Sequence, residues 1–228
     1  ARVNGSALAL GMEPTHSIDE IECLSREGVM HFDEDAELYI CPMYYAEEGF
    51  ITPEPESTQF VLSIYEAPLP VPSGFKACRS TFRRPAPDQA PTEAKASCLY
   101  PNVARSVFEA RQRGYDTGVV MDPMGHVAEF SYTNLFYARD NVVHAPVPNG
   151  TFLNGITRQR IIQLLREDGI QVYERVIEFE ELLDADEVFG TGNYSKVMPC
   201  VRLDDRPLQV GPLYNRAREL YFTFSDNN

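Results

Sequence analysis

Four short stretches of the chain combine residue types that chemistry needs. Leu153-Asn-Gly-Ile-Thr-Arg158 places a glycine directly before an amphipathic run. Glycine there lets backbone approach a ligand closely, and first-turn N–H groups at the positive end of a helix dipole favour a phosphate. The same pattern fits Thr157 as an ordinary N-cap after a glycine loop. Gly190-Thr-Gly-Asn-Tyr-Ser195 follows an apolar run and either offers further N–H groups to an anion or makes a plain turn. Two such segments make a phosphorylated ligand more credible than either does alone. Lys95 lies among small residues in Pro91-Thr-Glu-Ala-Lys-Ala-Ser-Cys-Leu-Tyr100. Buried there, its amine would lose charge easily and serve as a Schiff-base nucleophile; beside Glu93 it reads equally as a surface lysine. Glu129 lies between Val127-Ala128 and Phe130; pointing inward, it would need a partner cation such as a protonated pyridine. The alternative is a strand-end carboxylate in water.

Composition narrows the chemistry. The 228 residues carry 20 basic and 34 acidic side chains, a net charge of −14, which repels phosphodiester backbones and speaks against nucleic-acid partners. Only Lys76, Lys95 and Lys196 are lysines, so chemistry that needs an amine has three candidates. Cys23, Cys41, Cys78, Cys98 and Cys200 are odd in number and lack C-x-x-C spacing; with four scattered histidines they suggest reduced cytosolic thiols and no metal site. No apolar run approaches the ~20 residues of a membrane helix, and no signal-peptide pattern is read at the start. The expected location is therefore cytoplasmic. The chain begins at Ala1, already in a helix-like run to Met12, so an N-terminal segment is expected to be missing.

These stretches need elements to position them. Ser17-Ile-Asp-Glu20 reads as a capping box that starts a helix through Ile18, Ile21 and Leu24, with Gly28 as its stop. Leu38–Tyr45 and Gln59–Tyr65 read as strands around a Pro/Glu-rich loop. The proline-rich Ala67–Gly74 stretch is the expected boundary between a small domain, 1–70, and a larger one, 71–228. Beyond it, strands are predicted at Gly74–Phe82, Gly118–Asp122, Val127–Glu129, Asn134–Ala138, Asn141–His144, Ile170–Ile177, Glu187–Gly190 and Val197–Leu203. Helices are predicted at Tyr100–Arg113, Thr157–Asp168, Phe179–Ala185 and Leu213–Phe224. The mixture, without a regular βαβ rhythm, predicts an α+β fold with a largely antiparallel, barrel-like sheet.

Taken together, Ala94-Lys95-Ala96 with Tyr100, Arg111–Asp116, Gly125–Phe136, Gly155-Ile-Thr-Arg158 and Ala185–Gly192 resemble the branched-chain amino acid aminotransferase family, the fold type IV enzymes that use pyridoxal 5′-phosphate (PLP). The resemblance runs from Ala1 to about Phe224. It implies a small α/β domain, truncated at its N-terminus, and a larger PLP-binding domain with a barrel-like mixed sheet. The implied reaction moves an amino group between a branched-chain or other apolar amino acid and a 2-oxo acid such as 2-oxoglutarate, in a homodimer.

The resemblance also implies roles. Lys95 would join PLP covalently and shuttle the proton, Glu129 would face the pyridine nitrogen, and Tyr100 would bond the phenolic oxygen. Arg2, with the N–H groups of Ile156 and Thr157 and the amide of Asn193, would hold the phosphate. Leu153 would pack on the ring, and Asn134 would lie in the loop after the glutamate. Tyr39, Cys41 and Tyr194 would touch substrate. Cys41 stands where the family often has an arginine, and Asn193-Tyr194-Ser195 where it commonly has Thr-Ala-Ala. These departures keep a D-amino acid or amine transaminase, or a PLP-dependent lyase of the aminodeoxychorismate type, as alternatives on the same fold. A degenerate, non-enzymatic homologue would bind no PLP.

Overall fold

The computed structural model describes residues 1–226. It divides the chain into two compact units, one of Ala1–Leu69 with Glu93–Ala96, the other of Pro70–Thr92 with the chain from Ser97 onward.

In the first unit, helices α1 (Arg2–Ala9) and α2 (Ile18–Val29) cover a two-stranded antiparallel sheet, β1 (Leu38–Ala46) and β2 (Thr58–Glu66). Ser17 and Glu20 form the expected reciprocal cap: Ser17 N–H donates to Glu20 Oε2 at 2.7 Å and Glu20 N–H to Ser17 Oγ at 3.2 Å. Gly28 does not end the helix, which continues to Val29; the missing side chain instead admits Ile64 of β2. Register pairs Leu38 with Glu66 through to Ala46 with Thr58. Directly paired residues share a face, so Tyr44 and Phe60 meet, their rings 5.2 Å apart, with His16 against Phe60. The opposite face carries Tyr39 stacked on Tyr65, centroids 5.5 Å apart, and Cys41 paired with Ser63.

The second unit is built on nine strands: β3 (Phe75–Arg83), β4 (Thr117–Met121), β5 (Val127–Phe130), β6 (Asn134–Arg139), β7 (Val142–Pro146), β8 (Val172–Arg175), β9 (Glu187–Gly192), β10 (Lys196–Leu203) and β11 (Arg206–Pro207). Its helices are α3 (Tyr100–Gln112), α4 (Ile156–Glu167), α5 (Phe179–Leu183) and α6 (Pro212–Asp226). Strand order is β5-β4-β3-β10-β9-β6-β7-β8, with β11 on β10, and the sheet curls so that β5 also packs against β6.

The sheet is mixed rather than largely antiparallel. The pairs β3/β4, β7/β8 and β3/β10 run parallel; in the first two, α3 and α4 are the crossover connections that return the chain in the same direction. The hairpin turn sits at Asp140-Asn141, one residue later than expected. Both residues have positive φ, 51° and 63°, the backbone that a tight two-residue hairpin requires and that Asp and Asn tolerate. Strand β8 is shorter than Ile170–Ile177.

Both faces of this sheet are buried, which explains its continuous apolar runs. Along β6, Leu135 and Tyr137 enter one core with Phe130, Ile177 and Val188. Phe136 and Ala138 enter another with Phe189, Ile161 and Leu165 of α4 and Leu213 and Ala217 of α6. Phe136 stacks on Phe189 at 5.2 Å.

Candidate active site

In the second unit the site is assembled around Glu129. Its carboxylate, on β5, is 7% exposed. Asn134, buried at the start of β6, donates from Nδ2 to Glu129 Oε2 at 3.3 Å and to the Leu153 carbonyl at 2.9 Å. One amide therefore joins the carboxylate to the loop that enters α4. The partner cation that the sequence leaves open is present in the protein: Arg84 Nε lies 3.4 Å from Glu129 Oε1 and donates to the Thr151 carbonyl at 3.0 Å. Arg84 is 8% exposed, so the pair is taken out of water, where a lone carboxylate would be costly. Arg83-Arg84-Pro85 at the end of a strand was the available signal for it.

The loop itself is tightly seated. Gly155 is the N-cap of α4, and a Cβ on it would collide with Asn134 Oδ1. Thr157 is thus not the cap; it lies inside the first turn, buried, while Ile156 is exposed. No side chain caps this helix, which leaves first-turn N–H groups facing outward at the positive dipole end. Thr191 lies opposite Asn134 in the β6/β9 ladder. It is fully buried, and its Oγ1 has no hydrogen-bond partner among the described residues. A phosphate-bearing group matches these donors.

The remaining sequence-selected residues of this unit lie further out. Asn193 and Tyr194 are exposed in the turn between β9 and β10, where Lys196 Nζ donates to Asn193 Oδ1 at 2.9 Å. Burial pushes the Lys196 ammonium below the ordinary lysine range. Tyr100, at the first position of α3, is half exposed.

In the first unit, the Lys95 backbone is tied to α1, the helix that carries Arg2, by a residue the sequence did not single out. The Lys95 N–H donates to Ser6 Oγ at 3.0 Å, and Ser6 lies one turn beyond Arg2 on the same face of α1. Of the two readings the sequence leaves open for Lys95, the structure has the surface one: the residue is exposed. Thr92, Ala94 and Ala96 are buried and Glu93 and Lys95 exposed, across a turn at Thr92-Glu93 and a bend at Ala94. The alanines supply the burial and the lysine is left outward. Tyr39 and Cys41 share the β1 face away from the helices and are half-buried. Among the described residues no group of three metal-ligating side chains occurs.

The family model for amino-transferase class IV matches residues 1–203. The chain belongs to the class IV aminotransferases. These enzymes depend on PLP, and the donor set around Glu129 and the start of α4 fits that cofactor's ring nitrogen and phosphate. A probable branched-chain-amino-acid aminotransferase of Aquifex aeolicus is 31% identical over 229 residues, 97% of this chain and 74% of that protein. Among solved structures, an aminotransferase from Brucella abortus bound to PLP superposes with a TM-score of 0.97 at 48% identity, over 99% of this chain and 82% of that one. The branched-chain aminotransferase of Thermoproteus uzoniensis, solved with norvaline, gives 0.87 at 30% identity, over 97% and 78% of the two chains. The class IV aminotransferase fold thus accounts for both units and for the mixed, curled sheet.

Proposed function

We propose that this class IV aminotransferase transfers an amino group between a branched-chain or other apolar amino acid and 2-oxoglutarate, with residue roles as follows. The open start of α4 binds the PLP phosphate through the N–H groups of Ile156 and Thr157, with the Thr191 hydroxyl as a further donor and Arg2 and Asn193 supporting. Glu129, held by Arg84 and Asn134, carries the negative charge that keeps a ring nitrogen protonated. When bound, PLP supplies a cationic ring that withdraws electrons from the bond being broken at the substrate α-carbon. Lys95 Nζ would carry the proton between the substrate α-carbon and the cofactor's C4′ carbon. Leu153 packs on the ring, Tyr100 bonds its phenolic oxygen, and Tyr39, Cys41 and Tyr194 meet the substrate. The observation that carries this reading is the Asn134 bridge between the buried Glu129 carboxylate and the loop leading into the uncapped helix.

The five free cysteines support a reducing, cytoplasmic setting, and the family resemblance supports a homodimer. Among the described residues no helix is long and apolar enough to cross a membrane.

Borohydride reduction in the presence of PLP, followed by peptide mapping, tests the central role: the label is expected on Lys95, and a label on Lys76 or Lys196 would refute it. Lys95→Ala is expected to lose turnover by a factor on the order of 10⁴ while keeping its fold. Single-turnover mixing of the PLP form with L-leucine, L-valine, D-alanine and simple amines tests the substrate class; conversion of D-alanine or amines in place of the branched-chain acids would overturn it.

A further inference from the structure

The anion-facing start of α4 has to be held in place, and no cap holds it. Arg158, in that first turn, is 1% exposed and is the bulkiest of the fully buried side chains. A guanidinium so completely withdrawn from water is costly unless its hydrogen bonds are directed. Its bonds lead away from the helix in three directions. Nη1 donates to Asn154 Oδ1 at 2.7 Å, while Nη2 donates to the Pro146 carbonyl at the end of β7 and to Glu174 Oε1 on β8, each at 2.8 Å. Glu174 also receives Arg166 at 3.3 Å through its other oxygen. Arg158 and Arg166 are two turns apart on α4, so one carboxylate of β8 holds the helix at two levels. Asn154 lies between Leu153, whose carbonyl accepts from Asn134, and Gly155, which is seated on Asn134.

We infer that Arg158 is a positioning residue for the cofactor's phosphate. By tying Asn154, β7 and β8 to the first turn of α4, it fixes the direction in which the Ile156 and Thr157 N–H groups point. The inference rests on the reading above that this helix start receives the phosphate. The planar fork is what the task requires. Three acceptors in three directions are reached together by one guanidinium, and a lysine ammonium on a flexible stem cannot reproduce that set.

The test compares PLP with pyridoxal, which lacks the phosphate, on the full chain. Equilibrium titration measures both affinities for wild type, Arg158→Met, Arg158→Lys and Glu174→Gln, and amide NMR follows Ile156 and Thr157. Arg158→Met is expected to weaken PLP roughly tenfold while changing pyridoxal affinity less than about twofold. Arg158→Lys and Glu174→Gln are expected to weaken PLP about threefold each, and they keep the test available if the methionine variant does not fold. Equal loss for PLP and pyridoxal, or no loss for either, in the variants that fold would overturn the positioning role. A different result marks failure of the underlying reading: wild-type Ile156 and Thr157 amides that do not move on adding PLP would remove the phosphate from this helix, and Arg158's role with it.

Discussion

Helices α4 and α6 pack on each other and on the same buried face of the second unit's sheet, yet they begin in opposite ways. At α6, the carboxylate of Glu187, 5% exposed on β9, accepts the Leu213 N–H at 3.1 Å and the Tyr214 N–H at 2.7 Å. Gly211 makes room for it, since a Cβ there would fall on the carboxylate. The orphan donors and the dipole are satisfied from within, and no place is left for another anion. At α4 the corresponding position is Gly155, without a capping side chain, and the nearby carboxylate, Glu129, is held away by Arg84 and Asn134. A buried acid at a helix start is a structural fastening. A helix start from which the acid is withheld keeps its donors for something that comes and goes.

The contrast can be broken by substitution. Glu187→Ala leaves two helix N–H groups without an acceptor and a gap beneath α6, and should cost about 3 kcal/mol of stability, read from urea unfolding. The folded fraction should bind PLP with unchanged affinity; weakened binding at full stability would show that the two helix starts are not separate in function. Gly155→Ala is the reverse case. Its methyl must displace Asn134, so PLP affinity should fall roughly tenfold, about 1.4 kcal/mol, with a smaller loss of stability. Unchanged PLP affinity would end the claim that the loop's seating matters.

A third helix start sharpens the comparison at smaller amplitude. At α5, Glu181 accepts the Glu178 N–H at 2.9 Å and pairs with Arg175 and Tyr137. Arg175 beside it holds the carboxyl down to about 2. The folded value lies below the ordinary unfolded value of about 4.3, so the stabilisation is present above that value and is lost as pH falls toward 2. The Tm difference between wild type and Glu181→Gln should therefore narrow steadily between about pH 5 and pH 3. A constant difference across that range would show that the carboxyl's charge contributes nothing there.

The sequence is most informative where a local pattern decides the outcome. The Ser17/Glu20 cap, the strands of the first unit and the helix after Gly155 all follow from period and capping chemistry, and the five motif blocks pointed to the family. It is least informative where partners are distant in sequence. Arg84 reaches Glu129 across 45 positions, and Ser6 reaches Lys95 across 89. No spacing rule links such pairs. The parallel pairings of β3/β4 and β7/β8 were within reach, since each predicted helix between two predicted strands is a crossover; the weight given to hairpins hid them. For Lys95 the sequence leaves a buried and a surface reading open, and its small neighbours do not decide between them: Ala94 and Ala96 are buried while Lys95 is exposed.

That placement has a consequence for how the segment can change. Thr92 and Glu93 lie in a turn and Ala94 in a bend, so no strand ladder repeats the geometry that leaves Lys95 outward. The seat of the two buried alanines and the one bond from the Lys95 N–H to Ser6 Oγ hold it. Exchanging an exposed side chain here leaves that seat intact, whereas adding or removing a residue rebuilds the turn and with it the place from which the amine starts.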